Sequence, residues 1–157
     1  LTDFEHDLLF LLHDVGRLLR VDADKRARAE GMTRAQWGIL LWLEREPGIS
    51  QKELAELLEV EPISVARLVD RLEARGIVER RPDPKDRRIW RLHLCPPAHP
   101  ALREIHRQRA AMARHLTDGI DPAMLDAMTE VLITMKSSLA HEPRTPTPTV
   151  LEAREVA

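Results

Sequence analysis

Ile63, Arg67, Asp70 and Ala74 recur at spacings of three and four along the segment from Pro62 to Arg75, with Ser64 and Arg71 flanking them. That spacing puts them on one face of a helix. Near the start of such a helix, the Arg67 guanidinium matches guanine O6 and N7 with two hydrogen bonds, worth about 1–3 kcal/mol of discrimination. Ile63 suits a thymine methyl, and Ser64 a phosphate or a base edge. A second basic group follows, in which Arg80, Arg81, Lys85, Arg87, Arg88 and Arg91 stand against Asp83 and Asp86. Such a loop can track a sugar–phosphate backbone and place an arginine in a narrow minor groove. An acid beside phosphate is unfavourable unless it orients a cation, so Asp86 is expected to pair with Arg88 or Arg87. Taken alone, Arg67 reads as a solvated helix arginine and the loop as a polar hairpin tip. Their combination points to double-stranded DNA.

A net charge of −2 is unusual for that partner, but the charge is unevenly placed. Arg67 to Arg91 holds 9 Lys/Arg against 5 Asp/Glu, and the rest of the chain 15 against 21. One basic segment on an acidic body fits a single element that meets phosphate. The 157 residues, 43% hydrophobic and 32% charged, suffice for one helix-rich globular core. Cys95 is the single cysteine, which excludes an intrachain disulfide and fits a reducing cytoplasm. No signal-peptide pattern is expected, and no apolar run nears the roughly 20 residues of a membrane span. There is no glycine-rich phosphate loop, nucleophile elbow or HExxH-type site, so no enzyme is expected.

The elements that position these residues are legible from caps and periodicity. Leu8, Leu11, Leu12, Val15, Leu18 and Leu19 predict a first helix from Asp3 to about Ala29. Thr33 with Gln36, and Ser50 with Glu53, are capping boxes that open the second and third helices. The second runs through Glu46 and is apolar nearly all round, hence central. The third, residues 51 to about 58, turns Leu54, Ala55, Leu57 and Leu58 inward. Pro62 opens the fourth, which buries Val65, Leu68, Val69 and Leu72 and stops at Gly76. Residues 77–81 and 89–94 then alternate as two strands of a hairpin. A fifth helix is expected from about Pro100 to Asp118, and a sixth after Asp121-Pro122, with Leu125, Met128, Leu132, Met135 and Leu139 at near-heptad spacing. A short capped helix, a tight turn and a second helix with a polar face make a helix-turn-helix.

The run from Ser50 to Leu94, SQKELAELLEVEPISVARLVDRLEARGIVERRPDPKDRRIWRLHL, resembles the winged helix-turn-helix core of MarR-type regulators. LVDRLEARGIVER followed by DPKDRR carries most of the likeness, and the flanking helices extend it over roughly residues 5–140. The SlyA-like branch is most similar, through Ser64 and Arg67, the Asp86-Arg87-Arg88 tip and Pro100. The resemblance implies a mainly α fold with a small β-hairpin and six helices. It implies a homodimer joined by the first, fifth and sixth helices, a pseudo-palindromic DNA site, and release by small aromatic or phenolic acids. The chain departs from the family at Leu94-Cys95-Pro96-Pro97, where a Leu-Thr pair is usual, and in its Pro/Thr-rich tail.

The expected organisation is a dimerisation helix in 1–31, a DNA-binding lobe in 32–98, dimerisation helices in 99–141 and a tail in 142–157. The expected duplex contacts are Ser50, Gln51, Pro62, Ile63, Ser64, Arg67, Arg71, Lys85, Asp86, Arg87 and Arg88. A ligand pocket implied by the resemblance has His13, Arg17, Arg20 and Trp37 as candidates by position, since a carboxylate wants an arginine and an aromatic wall. Singly, each reads as ordinary packing or surface charge. His93, Cys95, His99 and His106 match no tight zinc spacing, so neither a metal nor a cofactor is expected, and Cys95 reads as a half-buried structural thiol. The competing function is a winged-helix protein-interaction module whose basic wing meets an acidic partner. Operator, target genes and inducer are not written in the sequence.

Overall fold

A computed structural model describes Phe4 and residues 6–141. The order is α1 (Leu8–Ala29), α2 (Arg34–Arg45), α3 (Gln51–Leu58), α4 (Pro62–Ala74), β1 (Val78–Pro82), β2 (Trp90–Leu94), α5 (Ala98–Thr117) and α6 (Pro122–His141). Among the described residues the fold is therefore mainly α, six helices with one antiparallel hairpin. The 142–157 tail lies outside the described residues, as does the expected helix start at Asp3. No helix among the described residues is long and apolar enough to cross a membrane.

The helix ends follow their side chains. Asp7 caps α1 by accepting from the Phe10 amide at 2.7 Å, so the helix opens later than periodicity alone indicates. Both capping boxes form, Thr33 with Gln36 and Ser50 with Glu53. Glu59 ends α3 in the left-handed conformation, φ 52°. Glycine usually takes that place, and here it makes the tight turn into α4. At the end of α4, Gly76 donates to the Glu73 carbonyl and Ile77 to the Leu72 carbonyl. This paired closure needs a positive φ at Gly76, which is 65°.

The closure also corrects the strand boundaries. Ile77 is used in ending α4, so β1 starts at Val78 rather than at 77. Ile89 donates to the Asp86 carbonyl and belongs to the loop turn, so β2 starts at Trp90. α5 starts at Ala98, two residues before Pro100, which falls in the first turn where its missing N–H is harmless.

The core gathers Trp37, Ile39, Leu40 and Leu43 of α2, Leu54 and Ala55 of α3, and Val65, Val69 and Leu72 of α4. Ile77, Val78 and Leu92 close it from the hairpin, and Ala98, Leu102 and Ile105 from α5. Leu57 was expected inside and is exposed. On a two-turn helix it lies roughly 110° from the centre of the Leu54–Ala55–Leu58 stripe. The segment before α3 adds an edge to the hairpin: Gly48 donates to the Leu92 carbonyl, Leu92 to that of Ile49, and Ser50 bridges Arg91. Nothing in the periodicity marks this edge, because three residues are too few to show alternation.

Two compact units divide the chain, one ending at Met112 and the other beginning at Ala113. In the first, α1 leaves Leu8, Leu9, Phe10, Leu11, Leu12, Val15, Leu18 and Val21 exposed. In the second, α6 leaves Met124, Met128, Val131, Leu132, Ile133 and Leu139 exposed. Apolar areas of this extent on single helices are rare on monomers.

Candidate nucleic-acid interface

α4 buries Val65, Val69 and Leu72 and thereby turns Ile63, Ser64, Arg67 and Arg71 outward. Ile63 is 62% exposed, an unusual position for a β-branched apolar residue without a partner. Pro62 occupies the first position, where its lack of an N–H removes nothing from the helix. The α4 start and the hairpin come together around an open notch of about 360 Å³, lined by Ser50, Gln51, Lys52, Pro62, Arg88, Ile89 and Trp90.

The hairpin loop is held from inside by Asp83. One carboxylate oxygen accepts from the Lys85 and Asp86 amides at 2.7 and 3.0 Å, and the other from Arg91 Nε at 2.7 Å. The Arg91 bond, then the two amides, hold this carboxyl down at about 2. Arg91 continues to the Gly48 carbonyl and to Glu53, both at 3.3 Å. Glu53 in turn accepts from the Ser50 amide at 2.8 Å, and the Ser50 bonds hold its carboxyl below the usual range. A continuous chain, Asp83–Arg91–Glu53–Ser50, thus ties the loop to the start of α3.

At the loop tip, Asp86 takes Arg88 of the two partners open to it. It accepts from the Arg88 amide and Nε at 3.0 and 3.1 Å and from an amino nitrogen at 3.2 Å. These bonds lower the Asp86 carboxyl pKa. The Arg88 side chain remains 91% exposed, oriented but not covered.

Arg80 does the same for α4. Its guanidinium donates to Glu73, to Asp70 at 2.6 Å, to the Ala66 carbonyl at 3.2 Å and to Gln51 at 3.3 Å. β1 is therefore bonded to both helices of the helix-turn-helix through one side chain.

These pairings explain how a segment with five acids can face phosphate. Asp70 and Glu73 are held by Arg80, Glu79 by Arg81, Asp83 by Arg91 and Asp86 by Arg88. Every acid between 67 and 91 is neutralised within the segment. Among the described residues, Arg67, Arg71, Arg75, Lys85 and Arg87 have no carboxylate partner.

Not every sequence candidate is open to a ligand. Ser50 is 8% exposed, and its side chain accepts from the Glu53 amide. Gln51 is half-buried on Arg80. His13, Arg17 and Arg20 are exposed on α1, and Arg17 pairs with Asp14. They do not line the cavity of about 180 Å³ that Trp37 does line. Arg26, Arg34 and Arg109 stand around that cavity with Leu41, Leu58, Val60 and Met112. The Trp37 Nε1–H is buried without a hydrogen-bond partner among the described residues. No group of three or more His, Cys, Asp or Glu able to hold a metal occurs among the described residues. His106 contacts Glu44 at 2.7 Å, and burial raises the Cys95 thiol pKa.

Sequence reasoning counted Arg80 and Arg91 only as loop charge and gave Asp83 and Trp90 no role. Arg80 had a signal: strand alternation puts it on the face of Val78, opposite buried Leu92. Asp83 had a partial signal, since Asp83-Pro84 suits a turn in which the carboxylate accepts from the amides two and three residues on, but its bond to Arg91 crosses the hairpin and is not local.

The model of the MarR family matches residues 30–89, from the end of α1 through the hairpin loop. The solved structure of transcriptional regulator PA3341 superposes with a TM-score of 0.72 at 32% identity, over 83% of this chain and 96% of that one. The chain belongs to the MarR family. Within curated proteins, this MarR-family chain is 37% identical over 94 residues to a Thauera aromatica protein provisionally named a transcriptional regulatory protein for the hcr operon. It is 34% identical over 99 residues to the HTH-type transcriptional repressor MdtR of Bacillus subtilis. The matched segments are 57% and 62% of this chain and span 57% and 64% of those relatives' lengths.

Proposed function

We propose that this MarR-family chain is a sequence-specific regulator that binds double-stranded DNA as a homodimer and represses transcription. The observation that carries the reading is the unpaired, exposed Ile63–Ser64–Arg67 face beside a loop whose acids are all neutralised internally. α4 enters the major groove, with Arg67 on a guanine and Ile63 on a thymine methyl. Arg88, with Lys85 and Arg87, lies on the backbone or in the minor groove alongside. The exposed faces of α1 and α6 are covered by a second copy, which sets two α4 helices about one DNA turn, roughly 34 Å, apart. The site is then pseudo-palindromic. Repression is the reading extended from the named Bacillus subtilis relative. Ser64, Arg67 and the Asp86-Arg87-Arg88 tip favour the SlyA-like branch, and the single free thiol suits the cytoplasm.

Duplexes selected from a random pool test this. Arg67→Ala should lower the preference for the selected duplex over a scrambled one by about 5–150-fold. Arg88→Ala should weaken both duplexes alike and reduce the slope of log affinity against log salt by about 1. Wild-type affinity that is equal for all duplexes, or absent, favours the protein-interaction module instead. If both variants bind as wild type does, the docking is wrong.

The cavity at Trp37 supports release by a small aromatic or phenolic acid. At about 180 Å³ it is below the usual span of drug-sized pockets, which suits a single ring. Arg109 offers paired donors to a carboxylate, Arg26 and Arg34 being already paired with Asp22 and Asp24, and Trp37 with Met112 offers an apolar wall. Arg109 has no ion pair among the described residues, so Arg109→Ala should weaken a bound single-ring carboxylate by about tenfold in calorimetry. Its affinity for DNA should be unaltered. No binding from a panel of such acids to wild type removes this part of the reading.

A further inference from the structure

Trp90 is 47% exposed, whereas Trp37 is 5% exposed and Trp42 is half-buried under Arg45. It opens β2 opposite Pro82 and follows Ile89, which is 37% exposed. These two apolar residues and Pro62 line the notch between the hairpin and the α3 and α4 starts. Lys52 and Arg88 line the same notch. Of the acids next to its lining residues, Glu53 is held by the Ser50 amide and Arg91, and Asp86 by Arg88, while Glu61 precedes Pro62 with no side-chain cap bond.

An apolar surface edged by two cations has the chemistry of a deoxyribose joined to its phosphate. An indole adds a flat ring for the sugar and an N–H donor for the phosphate oxygen. The notch also adjoins the face that carries Ile63 and Arg67, so its occupant is continuous with a duplex docked on α4. Resting on the DNA-binding reading above, we propose that the Ile89–Trp90 step seats one nucleotide of the duplex backbone. Trp90 packs on its sugar and donates Nε1–H to its phosphate, between Lys52 and Arg88. Base edges play no part, so this contact fixes the register of the hairpin and not its sequence preference.

The test uses the full chain with a selected duplex and a scrambled duplex of equal length. In free wild type, iodide should quench a component of tryptophan emission that Trp90→Phe lacks. Either duplex should shield that component, and Trp90→Phe should show no duplex-dependent change. Trp90→Ala should weaken both duplexes by a similar factor, about tenfold, as for an aromatic anchor removed from an interface. Its salt slope should match wild type, because no counterion-releasing charge is lost. Trp90→Phe keeps an aromatic ring at this place, so its fluorescence result stands even if the alanine variant folds poorly. If wild type binds duplex while Trp90 stays open to iodide, or Trp90→Ala binds normally, this inference alone falls. If wild type binds neither duplex, it falls together with the DNA-binding reading.

Discussion

Leu132→Glu is expected to yield a folded monomer whose affinity for the selected duplex is down by roughly 10²–10⁴-fold. Leu132 is 41% exposed in the single chain and stands in a row of uncovered apolar residues with Met128, Val131 and Leu139 on α6. A carboxylate there remains hydrated in the monomer and is desolvated only when a second copy covers it, at a penalty of several kcal/mol. Single-chain stability should therefore change little. The DNA effect is large because the second half-site is engaged at the high effective concentration that linkage provides, and that advantage is worth 10²–10⁴. Sedimentation equilibrium, circular dichroism and duplex titration read the three quantities separately. A variant that remains dimeric with normal affinity shows that this face is not where the copies meet.

Arg80→Ala should lower stability by about 2 kcal/mol and weaken the selected duplex by more than tenfold. Arg80 bonds β1 to Gln51 of α3 and to Ala66, Asp70 and Glu73 of α4. Its own side chain is 17% exposed, so the guanidinium is sheltered, but Asp70 at 63% and Glu73 at 40% regain water when it is removed. That partial rehydration keeps the stability effect below the value for a fully buried pair. Lysine cannot substitute, because a single ammonium does not span four acceptors in different directions. Arg80 acts on DNA only by positioning α4. The preference for selected over scrambled duplex should fall while the salt slope stays at its wild-type value. A lower salt slope means that Arg80 touches phosphate and the positioning role is wrong. An unchanged preference at lower stability means that the network is structural only.

The two predictions rest on different kinds of interaction, and the sequence exposed them unequally. The α6 row was visible because a helical face repeats every three or four residues whether or not anything covers it. The same holds for the α4 face that carries Ile63 and Arg67. Arg80 sat in plain sight as one of six cations and was read as loop charge. Its acceptors come from α3 and α4, and a count of charges has no geometry. Asp83 looked like a residual acid in a basic loop, whereas two amides and Arg91 make it the loop's internal fastener.

Local chemistry therefore settled which segments are helices and where most of them begin. Thr33 with Gln36, Ser50 with Glu53, Pro62 and Gly76 act across three or four residues, and that reach is contained in the order of side chains. Folding in three dimensions decided which charges neutralise one another, which stay free for phosphate, and that residues 48–50 pair with β2. It also decided that the Trp37 cavity is edged by Arg26, Arg34 and Arg109 and not by His13, Arg17 or Arg20. Those outcomes join residues as far apart as Gln51 and Arg80, or Arg34 and Arg109. Such pairs meet only after the core has closed and set the distance and angle between their helices.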